Sequence, residues 1–189
     1  MVGRYSEHLT FRVPVQRGQE KFRELILYIA GKCQNAEYFG AVKLNKILYH
    51  SDFRAFRRLG EPITGAEYFR LPKGPAPRVL VPVRREMHSE GLIDLDIRPI
   101  GNREQQRVIP KRAANLDLFT TGELEIVDQV IEEMWDQTAD EASDASHDLA
   151  WQTRADEESI PYESAFLDNG PLTEEVIDRT HELSEEHGW

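Results

Sequence analysis

The chain has one cysteine, Cys33, in 189 residues, so no disulfide can close within it and no cysteine cluster can hold a metal. Set among apolar neighbours, that thiol reads as a buried structural group. Long hydrophobic runs are missing too. The longest, Leu25 to Ala30, is far short of the roughly 20 residues that cross a bilayer. Met1 to Thr10 carry Arg4, Glu7 and His8 where a secretory signal has its apolar core. The expectation is a cytoplasmic protein with no membrane partner. Histidines stand at 8, 50, 88, 147, 181 and 187, and none pairs at the i, i+4 spacing that sets two ligands on one helix face. His181 and His187 are rotated by roughly 240° on a helix. A Gly-x-Gly-x-x-Gly turn, a phosphate-loop lysine motif and a Gly-x-Ser-x-Gly elbow are all absent. The sequence therefore predicts no cofactor, no metal and no common hydrolase nucleophile.

Basic residues are scarce in the last third. The formal net charge is −11, yet residues 1–121 hold 21 Lys and Arg against 13 Asp and Glu, whereas residues 122–189 hold 2 against 21. The two parts carry opposite charge. They can neutralise each other by folding together, or offer separate surfaces to partners.

What is present is helical periodicity. Phe22, Leu25, Ile26, Ile29, Ala30 and Cys33 predict an amphipathic helix from Gln19 to about Gln34. From Ala41 to Leu59 two apolar lines run side by side: Ala41, Leu44, Leu48, Ala55 and Leu59, and Val42, Tyr49, Phe53 and Phe56. That breadth marks a central, heavily packed helix. Its remaining face carries Lys43, Lys46, His50, Arg54 and Arg57 as one basic strip, and Gly60 is a natural stop. Glu61 to Gly65, with Pro62, reads as a turn. Ala66 to Leu71 reads as a short strand, and Lys73-Gly74-Pro75-Ala76-Pro77 as a rigid connector, because its prolines fix φ. Val79, Leu80, Val83 and Met87 resume helical spacing, with Pro82 in the first turn and Gly91 as the stop. Leu92 to Ile97 and Gln106 to Lys111 predict an antiparallel hairpin. Thr120-x-x-Glu123 and Thr138-x-x-Glu141 have capping-box spacing, so helices are expected to begin there, the second running toward Arg154. Thr173 to His187 suggests a last, charged helix. The fold class expected is α+β, predominantly α: a compact helical domain with a small antiparallel hairpin.

Two segments carry candidate chemistry. His147 and Trp151 stand at i, i+4 in Ser146-His147-Asp148-Leu149-Ala150-Trp151, where imidazole can pack on indole. Local packing is the plainer reading, and an enzyme using His147 with a carboxylate such as Asp148 is the rival. The second segment is the passage from Lys43 to Pro77, where the broad helix feeds proline-containing turns.

Together, Lys43-Leu44-Asn45-Lys46-Ile47-Leu48-Tyr49, Gly60-Glu61-Pro62-Ile63-Thr64-Gly65, Lys73-Gly74-Pro75-Ala76-Pro77 and Ser146-His147 to Trp151 resemble the Panacea domain of the SocA-like antitoxins. The four blocks occur in order over about residues 20–155. Ala76 departs from the more usual valine-like residue between the two prolines. The resemblance implies a largely helical antitoxin, not an enzyme, that binds a co-encoded toxin protein and blocks it; some relatives deliver their toxin to a cytosolic protease. The chain is expected to divide into an N-terminal extension (1–18), the antitoxin-like domain (19–155) and, outside the resemblance, an acidic segment (156–189) whose charge suits packing on that domain. Partner contacts are expected at Lys46, His50, Arg54, Arg57, Lys73 and Arg78, as charged residues on elements whose other faces are apolar. Leu44, Leu48, Tyr49, Gly60, Pro62, Gly65, Gly74, Pro75, Pro77, His147 and Trp151 are expected to shape the fold. Nucleic acid, reached through the basic N-terminal part, is the less favoured partner.

Overall fold

In the computed structural model the described residues are 9–167, apart from Gly101. The elements run α1 (Gly18–Lys32), α2 (Ala41–Leu59), β1 (Tyr68–Phe69), β2 (Ala76–Pro77), α3 (Leu80–Ser89), β3 (Ile93–Ile100), β4 (Arg103–Pro110), α4 (Thr121–Glu133), α5 (Ala139–Ala145), α6 (Leu149–Gln152) and β5 (Ser159–Ile160). Among the described residues, six helices and two small antiparallel sheets make a mainly helical α+β fold, as expected. No helix among the described residues is long and apolar enough to cross a membrane.

α2 lies at the centre, packed against α1, α4, α5, β2 and the 3-10 turn at Tyr162–Phe166. Leu44, Leu48 and Ala55 on α2 share one core with Leu25, Ile26 and Ile29 of α1 and Val127, Val130 and Ile131 of α4. Removing such side chains from water is the main force holding the layers together. Gly60 ends α2 in the left-handed conformation, φ 82°, and its N–H bonds the Phe56 carbonyl, the stop read from sequence. Cys33 is 2% exposed at the end of α1, and burial pushes its thiol up to about 11.

Both capping boxes form, at Thr120 with Glu123 and at Thr138 with Glu141. The second helix does not run through to Arg154. α5 stops at Ala145, and α6 restarts with the Asp148 carboxylate accepting from the Trp151 N–H. Ser146 Oγ meanwhile donates to the Ser143 carbonyl. Short polar side chains competing for backbone partners break the helix at Ser146–Asp148.

The predicted strand at Ala66–Leu71 shortens to β1, and part of the proline connector is itself a strand. β1 is the middle strand of β2-β1-β5, with Tyr68 opposite Pro77 on one side and Ile160 on the other. The hairpin is longer than expected, with Ile93 opposite Pro110 through to Ile100 opposite Arg103. The helix predicted at Thr173–His187 lies outside the described residues.

The basic and acidic parts of the chain meet. Lys21 pairs with Glu123 at 2.6 Å, Lys32 with Asp128 at 3.1 Å and Arg70 with Asp156 at 3.5 Å, while two N–H groups of Arg54 hold the Glu133 carboxylate.

Candidate functional site

Along α2 the buried faces are not wholly apolar. Lys43, Lys46, Ser51 and Asp52 are all buried. Lys46 fills the gap in the line Val42, Tyr49, Phe53, Phe56, and Asp52 the gap in the line Leu44, Leu48, Ala55, Leu59. Helical spacing thus places both inside the packed stripes.

Lys46 is 1% exposed, which corrects the expectation that it stands outward on the basic strip. Its Nζ donates to the Pro75 carbonyl at 2.9 Å. Gly74 lies directly over it, at φ +84°, where an added Cβ would stand 2.5 Å from Lys46 Nζ and 2.2 Å from Ser146 Oγ. Glycine is required twice here, for the left-handed backbone and for the close approach. Burial drives the Lys46 ammonium down to about 7, opposed by the Asp148 charge. Lys43 is buried as well and donates to the Trp135 carbonyl at 2.8 Å.

One turn along α2, the Tyr49 hydroxyl donates to Asp148 at 3.2 Å. Trp151 then donates from Nε1 to the Leu71 carbonyl at 2.9 Å. The His147 imidazole stacks on its indole with centroids 3.9 Å apart and 16° between planes, and the Arg70 guanidinium lies 4.1 Å from the ring centroid. The packing read from His147 and Trp151 is present, although His147 lies in the break before α6 rather than on a shared helix.

Farther along, Asp52 is fully buried within a ring of donors. It accepts from the Thr64 N–H at 2.8 Å, from the Thr64 hydroxyl and from the Tyr68 hydroxyl at 2.8 Å, with the Tyr162 hydroxyl 3.4 Å away. Tyr162 also donates to the Ala66 carbonyl at 2.6 Å. Burial raises the Asp52 carboxyl against these hydrogen bonds, and pushes Tyr68 and Tyr162 well above the ordinary tyrosine range, so both keep their protons.

The other expected partner residues separate in the same way. Arg54 is held by Glu133, and Arg78 is exposed while bonding Glu67 at 2.7 Å. Lys73 and Arg57 are exposed. His50 has its Nε2 shielded from solvent without a partner among the described residues. Sequence reading missed Asp52, Thr64, Tyr68 and Tyr162. The one available signal was an acid in the middle of an apolar line, which a soluble helix keeps only when it is paired or hydrogen-bonded.

Each of these joints ties blocks that are distant in the chain: 43–49 to 74–75, 49 to 148, 151 to 70–71, and 52 to 64, 68 and 162. A family model, Antitoxin SocA-like, Panacea domain, matches residues 44–152. The chain belongs to this family. Comparison with curated proteins and with solved structures finds no match. The matched span of the Panacea domain begins within α2 and ends at α6, whereas its core also draws on α1, β5 and Tyr162. The motif residues Lys46, Tyr49, Gly74, Asp148 and Trp151 within that span are therefore interior joints. Its exposed polar groups lie elsewhere.

Proposed function

We propose that this Panacea-family chain is a cytoplasmic antitoxin that binds the toxin encoded beside it and blocks it by direct protein contact, with no catalytic step. The family match over residues 44–152 carries the reading. Its support in the structure is the use made of the motif residues. Lys46, Tyr49, Asp148 and Trp151 are committed to internal hydrogen bonds, which suits a binding scaffold more than a reactive centre.

Contact with the toxin runs through the turn from Lys73 to Arg78 and the start of α3. Lys73 and Arg78 are exposed there, and Val79 and Val81 beside them leave 39% and 50% of their surface in water. A charged turn next to exposed apolar side chains has the make-up of an interface. Delivery of the bound toxin to a cytosolic protease is a second stage of the same proposal, read out as a shorter toxin half-life.

Co-expression with the neighbouring gene is the test. The expected outcome is relief of growth arrest and a stoichiometric complex on size-exclusion chromatography. Lys73→Glu combined with Val81→Asp should weaken that complex by at least about tenfold, or 1.4 kcal/mol, at unchanged thermal stability. Relief of arrest with no complex, or no relief at all, defeats the reading.

A further inference from the structure

A cleft of about 270 Å3 opens between the C-terminal half of α2, the α5–α6 junction and the Tyr162–Phe166 turn. His50, Arg54 and Arg57 line it from α2, Ala165 and Leu167 from the turn, and Asp148 from the junction. These groups are unequally satisfied. Arg54 holds Glu133, and the two oxygens of Asp148 accept from the Tyr49 hydroxyl and the Trp151 N–H. Arg57 is exposed and makes no ion pair or hydrogen bond among the described residues. The Nε2 of His50 is shielded from water and also has no partner among them. Burial holds this imidazole at about 3, so it is uncharged at neutral pH and can donate one hydrogen bond from Nε2.

Phe166 and Leu167 stand beside the cleft, 59% and 41% exposed. A guanidinium and an imidazole that lack an anion or acceptor among the described residues, together with an apolar rim, fit a carboxylate carried on a partly apolar segment. Such a segment is attached to the rim itself. The chain continues for 22 residues past Leu167, with seven Asp and Glu and one basic residue, Arg179, interleaved with Leu172, Val176, Ile177, Leu183 and Trp189. Glu174 and Glu175 follow Leu167 closely enough to return, since seven extended residues reach about 23 Å. Tethering gives such a ligand a millimolar effective concentration, so a weak contact is well populated.

We propose that the acidic segment 168–189 of this chain occupies the cleft in the free protein, seating the carboxylate of Glu174 or Glu175 on Arg57 and His50. The basic strip of α2 is then satisfied from within: Arg54 by α4, and Arg57 by segment 168–189. This inference stands independently of the antitoxin reading, and it leaves the Lys73–Arg78 turn open for a partner.

Hydrogen–deuterium exchange on the full chain, at low and high salt, tests it, with thermal denaturation as the control for folding. Amides of 168–189 should exchange at least about tenfold more slowly at low salt than at high salt, where the ion pair is screened. Arg57→Glu should abolish that slowing at unchanged Tm, and adding Glu174→Arg with Glu175→Arg should restore it. If Arg57→Glu lowers Tm, the neutral Arg57→Gln must remove the slowing by itself. Unprotected exchange of 168–189 in the wild type overturns the proposal, as does slowing that survives loss of the Arg57 charge. Slowing that grows with protein concentration overturns it as well, assigning the cleft to a second copy.

Discussion

The ammonium of Lys46 donates to the carbonyl of Pro75, 29 residues further along, with Gly74 pressed over the same nitrogen. The central helix and the proline turn are thereby joined through a group that ordinarily stays in water. A buried amine and a left-handed glycine in contact make the joint sensitive to both charge and volume.

Gly74→Ala should be among the most damaging small substitutions. The new methyl meets Lys46 Nζ and Ser146 Oγ at 2.5 Å and 2.2 Å, on a backbone at φ +84°. Overpacking and left-handed strain together should cost roughly 2–4 kcal/mol, read as a lower urea midpoint at unchanged m-value. A loss under about 0.5 kcal/mol would show that the turn relaxes freely.

Lys46 should make stability rise with pH. Its folded pKa lies near 7, below the 10.5 of the free side chain, so between these values the unfolded chain binds more protons and stability increases as they are lost. The limiting slope is about 1.4 kcal/mol per pH unit. Urea unfolding between pH 7.5 and 9.5 should show a steeper rise for the wild type than for Lys46→Met. Parallel profiles would mean that the ammonium stays charged inside the fold.

Asp52→Ala removes the acceptor of the Thr64 N–H and the Thr64 hydroxyl together, while the Tyr68 hydroxyl keeps the Leu48 carbonyl at 3.0 Å. Leaving such donors buried should cost about 3–5 kcal/mol. Asp52→Asn keeps one oxygen and should cost less. Because burial raises the folded carboxyl, the stability it supplies is present below the unfolded pKa and lost as pH rises through the folded value. The wild type should therefore lose its advantage over Asp52→Asn as the pH climbs from about 4. An advantage that grows over that interval would point to a depressed carboxyl instead.

Trp151→Phe retains an aromatic face for His147 and Arg70 but loses the Nε1 hydrogen bond to the Leu71 carbonyl, which keeps the Gly74 N–H at 2.9 Å. A loss of about 0.5–1.5 kcal/mol is expected in chemical denaturation, and Trp151→Ala should cost more. Equal losses would make the Nε1 hydrogen bond irrelevant.

Much of the fold was legible because local rules act alone at its boundaries. α2 was read to its end residues from two apolar lines and one glycine, and both capping boxes from the Thr-x-x-Glu spacing. Failures came where tertiary partners decide. Lys46 fits a basic strip with His50 and an apolar line with Tyr49 equally well, and only the Pro75 carbonyl settles the choice. The same holds for Ala76–Pro77, a strand because Tyr68 and Phe69 lie opposite. α5 ends before Ser146, and Asp148 starts α6 through a bond to Trp151 that periodicity does not contain. The candidate site was thus readable as a set of motif blocks, but not as the set of joints they form.

Cys33, the chain's only thiol, is 2% exposed and held near 11. Reactivity toward alkylating reagents needs both access and thiolate, and at neutral pH the native protein offers neither. Labelling of this one atom therefore reports the opening of the core at the end of α1, near Lys43 of α2 and Arg107 of β4, with no probe introduced. Each variant above can be ranked by how quickly it takes up a thiol reagent, under conditions where the chain is still almost wholly folded.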